Sequence, residues 1–175
     1  EPFADAPGDS FSITSTHYGP HHGAQANELE GVGFAEIAGS TSYPATSLHL
    51  AQGATCVTCH MGTYADNEGG HTWAPALSVC NDCHFGTDVT FDHGGFQTDT
   101  QEKLDILRDR LVELGVLEYV EADEAYEPVV GRYSMVEAQA FFNWIGLEED
   151  RSLGAHNPYY VDALLDNSIE AIAAP

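Results

Sequence analysis

Basic residues are scarce in this sequence. Five Lys and Arg residues stand against 28 Asp and Glu residues, which gives a formal net charge of −23 over 175 positions, and Lys103 is the single lysine. Such a surface repels phosphates, so we expect no nucleic-acid partner, and an anionic membrane surface is disfavoured for the same reason. The charge suits either a cationic partner or a high-salt medium, and composition leaves both open.

Long apolar runs are missing as well. No stretch of about eighteen consecutive apolar residues occurs, so we expect no membrane-spanning helix. A signal peptide is not visible either, and because the chain begins at Glu1 we interpret it as already processed. The hydrophobic fraction of 43% still excludes wholesale disorder, and 175 residues suffice for one domain with a sizeable core.

Cysteine is also rare, and all of it lies in one stretch. The four cysteines form two C-x-x-C-H units, at 56–60 and 80–84, which is the attachment signature of c-type haem. Each thiol forms a thioether to a haem vinyl group, and the adjacent His becomes the proximal iron ligand. We therefore expect two haem c groups, attached through Cys56, Cys59, Cys80 and Cys83 and ligated by His60 and His84.

Two C-x-x-C pairs also match a four-cysteine zinc site, which would make the chain a zinc-stabilised binding module. The residue after each pair separates the two hypotheses, because a site of four thiolates gains nothing from His there. His makes up 9 of 175 residues, so chance would place it at both positions in about 0.3% of sequences. Redox C-x-x-C pairs are disfavoured because no βαβ pattern surrounds them. The haem hypothesis is favoured, and since covalent haem attachment normally happens outside the cytoplasm, we expect a periplasmic or extracellular protein.

The second half of the chain shows helical periodicity. A leucine stripe after residue 101 predicts an amphipathic helix of about four turns. A second helix is expected from the N-cap Ser134 to Leu147, and a third from the N-cap Asn157, with Pro158 as its first residue, to about Ile172. We expect a mainly α fold with extensive loop, in which about three longer helices follow the haem motifs and haem replaces part of the core.

The remaining segments predict loops and one arm. Residues 1–16 are expected to form an extended N-terminal arm, either frayed or docked on a neighbouring subunit, and residues 17–175 a single dihaem cytochrome c domain. A short helix is expected at 24–31. Loops are expected at 32–48, 85–99 and, as a solvated connector, 121–127.

Two six-coordinate irons need two distal ligands. Met135 is the one credible thioether, whereas histidines are plentiful, which favours closed bis-His sites and electron transfer. An open iron position would instead allow substrate chemistry. Besides the two motif histidines, the candidates are His17, His21, His22, His49, His71, His93 and His156.

The ordered set of histidine motifs resembles the C-terminal part of multihaem c-type cytochromes, including the region shared with pentahaem ammonia-forming nitrite reductases. The resemblance covers most of residues 17–173. It rests on HYGPHH with Gln25, His49 before CVTCHM, GGHTW, CNDCH and DRSLGAHNPYYVDALLDNSIEAI.

This resemblance implies ligand pairs. The histidine upstream of the first motif, His49, would serve the iron held by His84, and His156 would serve the iron held by His60. The histidine between the motifs, His71, usually serves a haem attached earlier in the chain. No earlier C-x-x-C-H exists here, and the same difficulty applies to His21 and His22.

Three explanations for these surplus histidines stay open. They could ligate haems of a neighbouring subunit and so join chains into an extracellular conducting filament by self-association. They could be relics that hydrogen-bond propionates, or His71 or His21 could replace one of the pairs above. Enzymatic members of the family use an open haem, in the nitrite reductases one with Lys in place of the motif His. Because no C-x-x-C-K occurs, we expect an electron carrier working with redox partner proteins, with an open-haem oxidoreductase as the alternative.

Overall fold

A computed structural model describes residue 3 and residues 8–20, 23–85 and 90–173. The predicted ligand His21 and its neighbour His22 lie outside the described residues. The elements are, in chain order, β1 (Ser10–Ile13), α1 (Ala24–Glu30), α2 (Leu48–Ala51), α3 (Cys56–His60), α4 (Leu77–Cys80), α5 (Phe96–Glu113), β2 (Leu117–Val120), β3 (Ala125–Pro128), β4 (Gly131–Ser134), α6 (Met135–Asp150) and α7 (Pro158–Ala171), with single 3₁₀ turns at Gly70–Thr72 and His93–Gly95.

The core lies among the three long helices α5, α6 and α7, which confirms the expected mainly helical fold. Each helix places one apolar face against the other two, as helical periodicity requires. Full burial of such side chains is the main favourable term in folding. The central members are Leu104, Leu107, Leu111, Phe141, Trp144, Tyr160, Val161, Leu164 and Leu165.

The helix starts follow the capping signals in the sequence. At α6 the hydroxyl of Ser134 accepts from the backbone N–H of Glu137, and the Glu137 carboxylate accepts from the Ser134 N–H, a complete capping box. The helix continues to Asp150, past the predicted end at Leu147. Helix α7 begins at Pro158 as expected, but the Asn157 side chain makes no capping hydrogen bond there.

Two predicted loops contain regular structure instead. The expected connector at 121–127 is part of a hairpin in which β2 pairs antiparallel with β3, and it is held by buried Leu117 and by the rings of Tyr119 and Tyr126, 5.1 Å apart. The expected loop at 85–99 ends early because α5 starts at Phe96. Asp92 accepts hydrogen bonds from the first amides of that helix, a cap that precedes the leucine stripe.

The N-terminal segment is tied to the helical half. Strand β1 pairs antiparallel with β4, with Ser10 opposite Ser134 and Ile13 opposite Gly131. Residues 10–13 of the predicted arm are therefore extended and held by their own chain. Strands of four residues are at the lower limit for an alternating pattern, and neither strand was predicted from the sequence.

The segment before the haem motifs is anchored on the helical core. Helix α1 ends at Gly31, as predicted, with that glycine in the left-handed conformation. The chain then lies along α6, where the buried amide of Asn143 bonds both the N–H and the carbonyl of Ala35 at 2.8 Å. This contact fixes the start of the loop that leads to α2 and α3. Within the described residues, no helix is long and apolar enough to cross a bilayer.

Candidate functional site

The first C-x-x-C-H unit forms the short helix α3. Thr55 is its N-cap, and the Thr55 hydroxyl accepts from the backbone N–H of Thr58 at 3.2 Å. The Nδ1 of His60 lies 2.8 Å from the carbonyl oxygen of Trp73. Because a carbonyl can only accept, the proton sits on Nδ1 and the Nε2 lone pair of His60 is free to bind a metal.

The backbone around Trp73 is arranged to present that carbonyl. Trp73 itself has a left-handed conformation with φ 59°, which is unusual for a bulky residue. Gly69, with φ 75°, lies so close to the preceding turn that an added Cβ would come within 2.7 Å of the carbonyl oxygens of Gly62 and Thr63. The GGHTW motif therefore works as a tight loop that holds the first motif histidine.

The second unit begins in α4, and the backbone N–H of His84 bonds the carbonyl of Cys80 at 2.8 Å. The two motifs lie side by side: an added Cβ on Gly62, which follows α3, would meet the Val79 side chain at 2.5 Å. Burial raises the pKa of the Cys59 thiol, and the neighbouring thiols Cys80 and Cys56 add to this.

No disulfide joins the four cysteines, of which Cys56 and Cys83 are exposed and Cys59 and Cys80 half-buried. Within the described residues, one group of three potential metal ligands has its ligand atoms within 4.8 Å of one another. It consists of Glu28, Asp150 and His156 and contains no cysteine. The thiols are therefore not gathered as a four-cysteine zinc site requires.

Each motif histidine faces another imidazole. The ring centres of His60 and His156 are 6.3 Å apart, and those of His84 and His49 are 6.2 Å apart. An imidazole nitrogen binds a first-row metal at about 2 Å and the ring centre lies about 1 Å further away, so two trans imidazoles on one iron have centres about 6 Å apart. Both spacings fit that arrangement. Ligation by these four residues stays a prediction.

His93 is a further imidazole beside the second motif. Its ring centre lies 4.2 Å from that of His84, too close for both to bind opposite sides of one iron. Burial is the main cause that lowers the pKa of His84, and the charges of the nearby His93 and His49 lower it further. On sequence alone, His93 is one of seven candidate ligands with no haem assigned to it. The 3₁₀ turn that brings His93 beside His84 was not predicted, because no sequence pattern indicated it.

Two further surplus histidines, His71 and His17, lie at exposed positions. His71 is exposed on the 3₁₀ turn Gly70–Thr72, and within the described parts of the chain its ring has no aromatic partner. His17 is exposed as well, and its backbone N–H donates to the Ser15 hydroxyl. The predicted ligand role of His71 therefore has no partner site among the described residues of this chain, and His21 lies outside them.

Sequence reasoning missed a buried acidic group behind His156. The Nδ1 of His156 donates to Asp150 Oδ1 at 2.7 Å, and Asp150 lies beside Glu28, which is fully buried. Burial raises the pKa of Glu28 well above its ordinary value, and the charge of Asp150 raises it further. Burial alone would raise the pKa of Asp150. The hydrogen bond from His156 and the charge of His156 outweigh this, with smaller contributions from other hydrogen bonds, and the pKa of Asp150 lies below its ordinary value.

Large apolar side chains around the motifs are left uncovered by protein. Phe85, directly after the second motif, is 86% exposed. Single exposed apolar residues are ordinary, but several along one segment indicate a surface that something apolar covers. A flat porphyrin fits this requirement beside the thiols and imidazoles described above. The exposed residues of this segment are Leu48, Val57, Tyr64, Trp73, Phe85 and Phe91.

No protein-family model matches the chain, and no curated protein matches it either. Among solved structures, the crystal structure of the outer cell wall cytochrome OcwA is similar, with a TM-score of 0.59 and 20% sequence identity. The match covers 87% of this chain and 30% of that one, so the chain spans about a third of the cytochrome's length. The likeness shows that this chain shares its fold with part of a cytochrome.

Proposed function

We propose that the protein transfers electrons through two covalently bound haem c groups, each with bis-His axial ligation. In this proposal Cys56 and Cys59 hold one haem between His60 and His156. Cys80 and Cys83 hold the other, between His84 and His49. The observation that carries the proposal is the pair of ring-centre spacings, 6.3 and 6.2 Å, at two independent positions. The cytochrome fold supports it from a separate direction.

The chain's own residues prepare both proposed ligands of the first haem. Bound haem c would supply a one-electron iron centre. The carbonyl of Trp73 and the carboxylate of Asp150 each accept from a ligand Nδ1, so the opposite Nε2 atoms of His60 and His156 are presented as lone pairs. The contact of Gly62 with Val79 supports two haems held near each other, an arrangement that would favour electron exchange between them.

The expected location and partners follow from the same cofactor. Covalent haem attachment supports an extracytoplasmic location, and the similar solved structure is that of an outer cell wall cytochrome. With a net charge of −23, a redox partner is expected to present a cationic surface, because complementary charge accelerates association.

We further propose self-assembly, in which a surplus histidine of one chain ligates a haem of the next. Exposed His71 supports this, because the family resemblance gives that position a ligand role and residues 1–55 contain no C-x-x-C-H unit. A head-to-tail contact of this kind builds a filament when its rotation does not close into a ring. Negative-stain electron microscopy of the native protein tests it: long regular filaments are expected, and small discrete particles would contradict assembly.

The haem proposal is tested on the denatured chain. Mass spectrometry should show the apo mass plus two haems, and the native oxidised protein should have a purely low-spin absorption spectrum. A colourless protein of apo mass would instead support a zinc module. A high-spin component that changes on addition of nitrite or cyanide would support the open-haem oxidoreductase.

A further inference from the structure

We propose that Asp150 is a positioning residue for the haem of His60 and His156, and that it lowers the reduction potential of that haem selectively. The inference rests on the proposed dihaem function. It assigns a role to a buried carboxylate that belongs to neither C-x-x-C-H motif.

The contact between Asp150 and His156 determines which nitrogen of the imidazole is free. The Nδ1 of His156 lies 2.7 Å from Asp150 Oδ1, and a carboxylate accepts the proton from Nδ1 and leaves Nε2 without one. The ring centre of His156 lies 6.3 Å from that of His60. The carboxylate thus selects the tautomer that a metal between the two rings needs.

The carboxylate is itself held in place. Asp150 is the last residue of α6, is 4% exposed, and accepts the backbone N–H of Ser152 on its second oxygen at 3.0 Å. The Ser152 hydroxyl in turn donates to Glu28 at 3.2 Å, which ties this turn to α1. With both oxygens engaged, Asp150 has little freedom to turn away from His156.

A carboxylate behind a ligand histidine makes that imidazole a stronger electron donor, which favours the more positive, oxidised iron. Among the described residues, the other three ligands have no such carboxylate partner. His60 bonds the neutral carbonyl of Trp73, and His49 bonds the neutral carbonyl of His156 at a longer distance of 3.4 Å. Among the described residues, no charged side chain makes a hydrogen bond to His84 or His49. The effect of Asp150 should therefore fall on one haem.

The test is a spectroelectrochemical titration of the holoprotein, with Asp150→Asn as the variant. This substitution keeps the shape and removes the charge. We expect one of the two haem waves to move to higher potential, with at least a tenfold change in the ratio of oxidised to reduced haem at fixed potential, which is 59 mV for one electron. The other wave should stay in place, and both haems should remain low-spin.

Two further variants make the result specific. Asp123→Asn removes the same charge from the exposed turn between β2 and β3 and should move neither wave. His49→Ala should make the His84 haem high-spin, so the wave that remains low-spin identifies the His60 haem. In that background Asp150→Asn must still move the low-spin wave.

Equal movement of both waves, or of neither, would overturn the proposal. If Asp150→Asn does not fold, near-infrared magnetic circular dichroism of the oxidised wild-type protein replaces the titration. Two charge-transfer bands at different energies would support a distinct ligand field at one haem. A single coincident band would overturn the proposal. A wild-type chain with fewer than two covalent haems would instead refute the underlying dihaem function, a failure that the mass measurement detects separately.

Discussion

The imidazole of His49 donates from Nδ1 to the backbone carbonyl of His156 at 3.4 Å. Each of these residues lies opposite a different motif histidine, His84 for the first and His60 for the second. The two proposed ligand pairs are therefore linked by one hydrogen bond, although 107 positions separate its ends in the sequence. The contact also places the α2 segment against the turn before α7.

The first prediction concerns the pairing. His156→Ala should convert the His60 haem to high-spin and leave the His84 haem low-spin, because the substitution removes one imidazole and keeps the backbone carbonyl that His49 bonds. Electron paramagnetic resonance and absorption spectra of the oxidised protein measure this directly.

The reciprocal variant is the control for that experiment. His49→Ala should produce the same change at the other haem, so the double variant should contain two high-spin irons. A spectrum unchanged by His156→Ala would refute the assignment of His156 and would direct attention to the remaining histidines.

The second prediction concerns the helical core. Leu107→Ala should lower the free energy of unfolding by about 2–5 kcal/mol, the usual cost of removing a fully buried leucine and leaving a cavity, since Leu107 is 0% exposed. Denaturant unfolding of the holoprotein measures it. Ile106→Ala, on the same helix but 53% exposed, should change stability by no more than about 0.5–1 kcal/mol, and a comparable loss in both variants would contradict the described packing.

Local sequence patterns predicted the parts of this fold that depend on local rules. The leucine stripe of α5, the capping box at Ser134 and Pro158 at the start of α7 each act within a few residues, so periodicity and capping preferences were sufficient to predict three helices. The β2–β3 hairpin was missed because its register depends on Tyr119 and Tyr126 meeting across the turn and on burial of Leu117.

The candidate site divides in the same way. The two C-x-x-C-H units could be identified from spacing alone, since attachment chemistry fixes that spacing. The proposed pairing of His49 and His156 with the two motifs came only from the family resemblance, because the positions of these residues depend on the path of long loops. The Glu28–Asp150 group could not be anticipated, as its members meet only after α1 packs on the end of α6.

The third prediction concerns the anchor of the loop before the motifs. The side chain of Asn143, which is 0% exposed, bonds Ala35 twice and also donates to the Ser168 hydroxyl at 3.0 Å. Asn143→Ala leaves the buried N–H of Ala35 unpaired, while the Ala35 carbonyl keeps the bond from the Ile37 N–H at 2.9 Å. We therefore expect a loss of about 1–3 kcal/mol in the free energy of unfolding. Gln101→Ala, which removes an exposed side-chain bond to Asp105, should cost less than about 0.5 kcal/mol, and a similar loss for both would show that the Asn143 contacts contribute little.

The last prediction separates backbone strain from the support of His60. Gly69 and Gly53 both have positive φ, 75° and 83°, but an added Cβ would collide with two backbone oxygens at Gly69 and meet nothing within 4 Å at Gly53. Gly69→Ala should therefore displace the loop that ends at Trp73 and release the bond from His60 Nδ1 to the Trp73 carbonyl. A redox titration should then show an altered potential for the His60 haem.

The control is Gly53→Ala. It should cost only the strain of a left-handed alanine, about 1 kcal/mol, and leave the potentials of both haems unchanged. If the two variants have the same haem reduction potentials, the Trp73 carbonyl does not tune the potential through His60. The tight turn at Gly69 would then matter for folding alone.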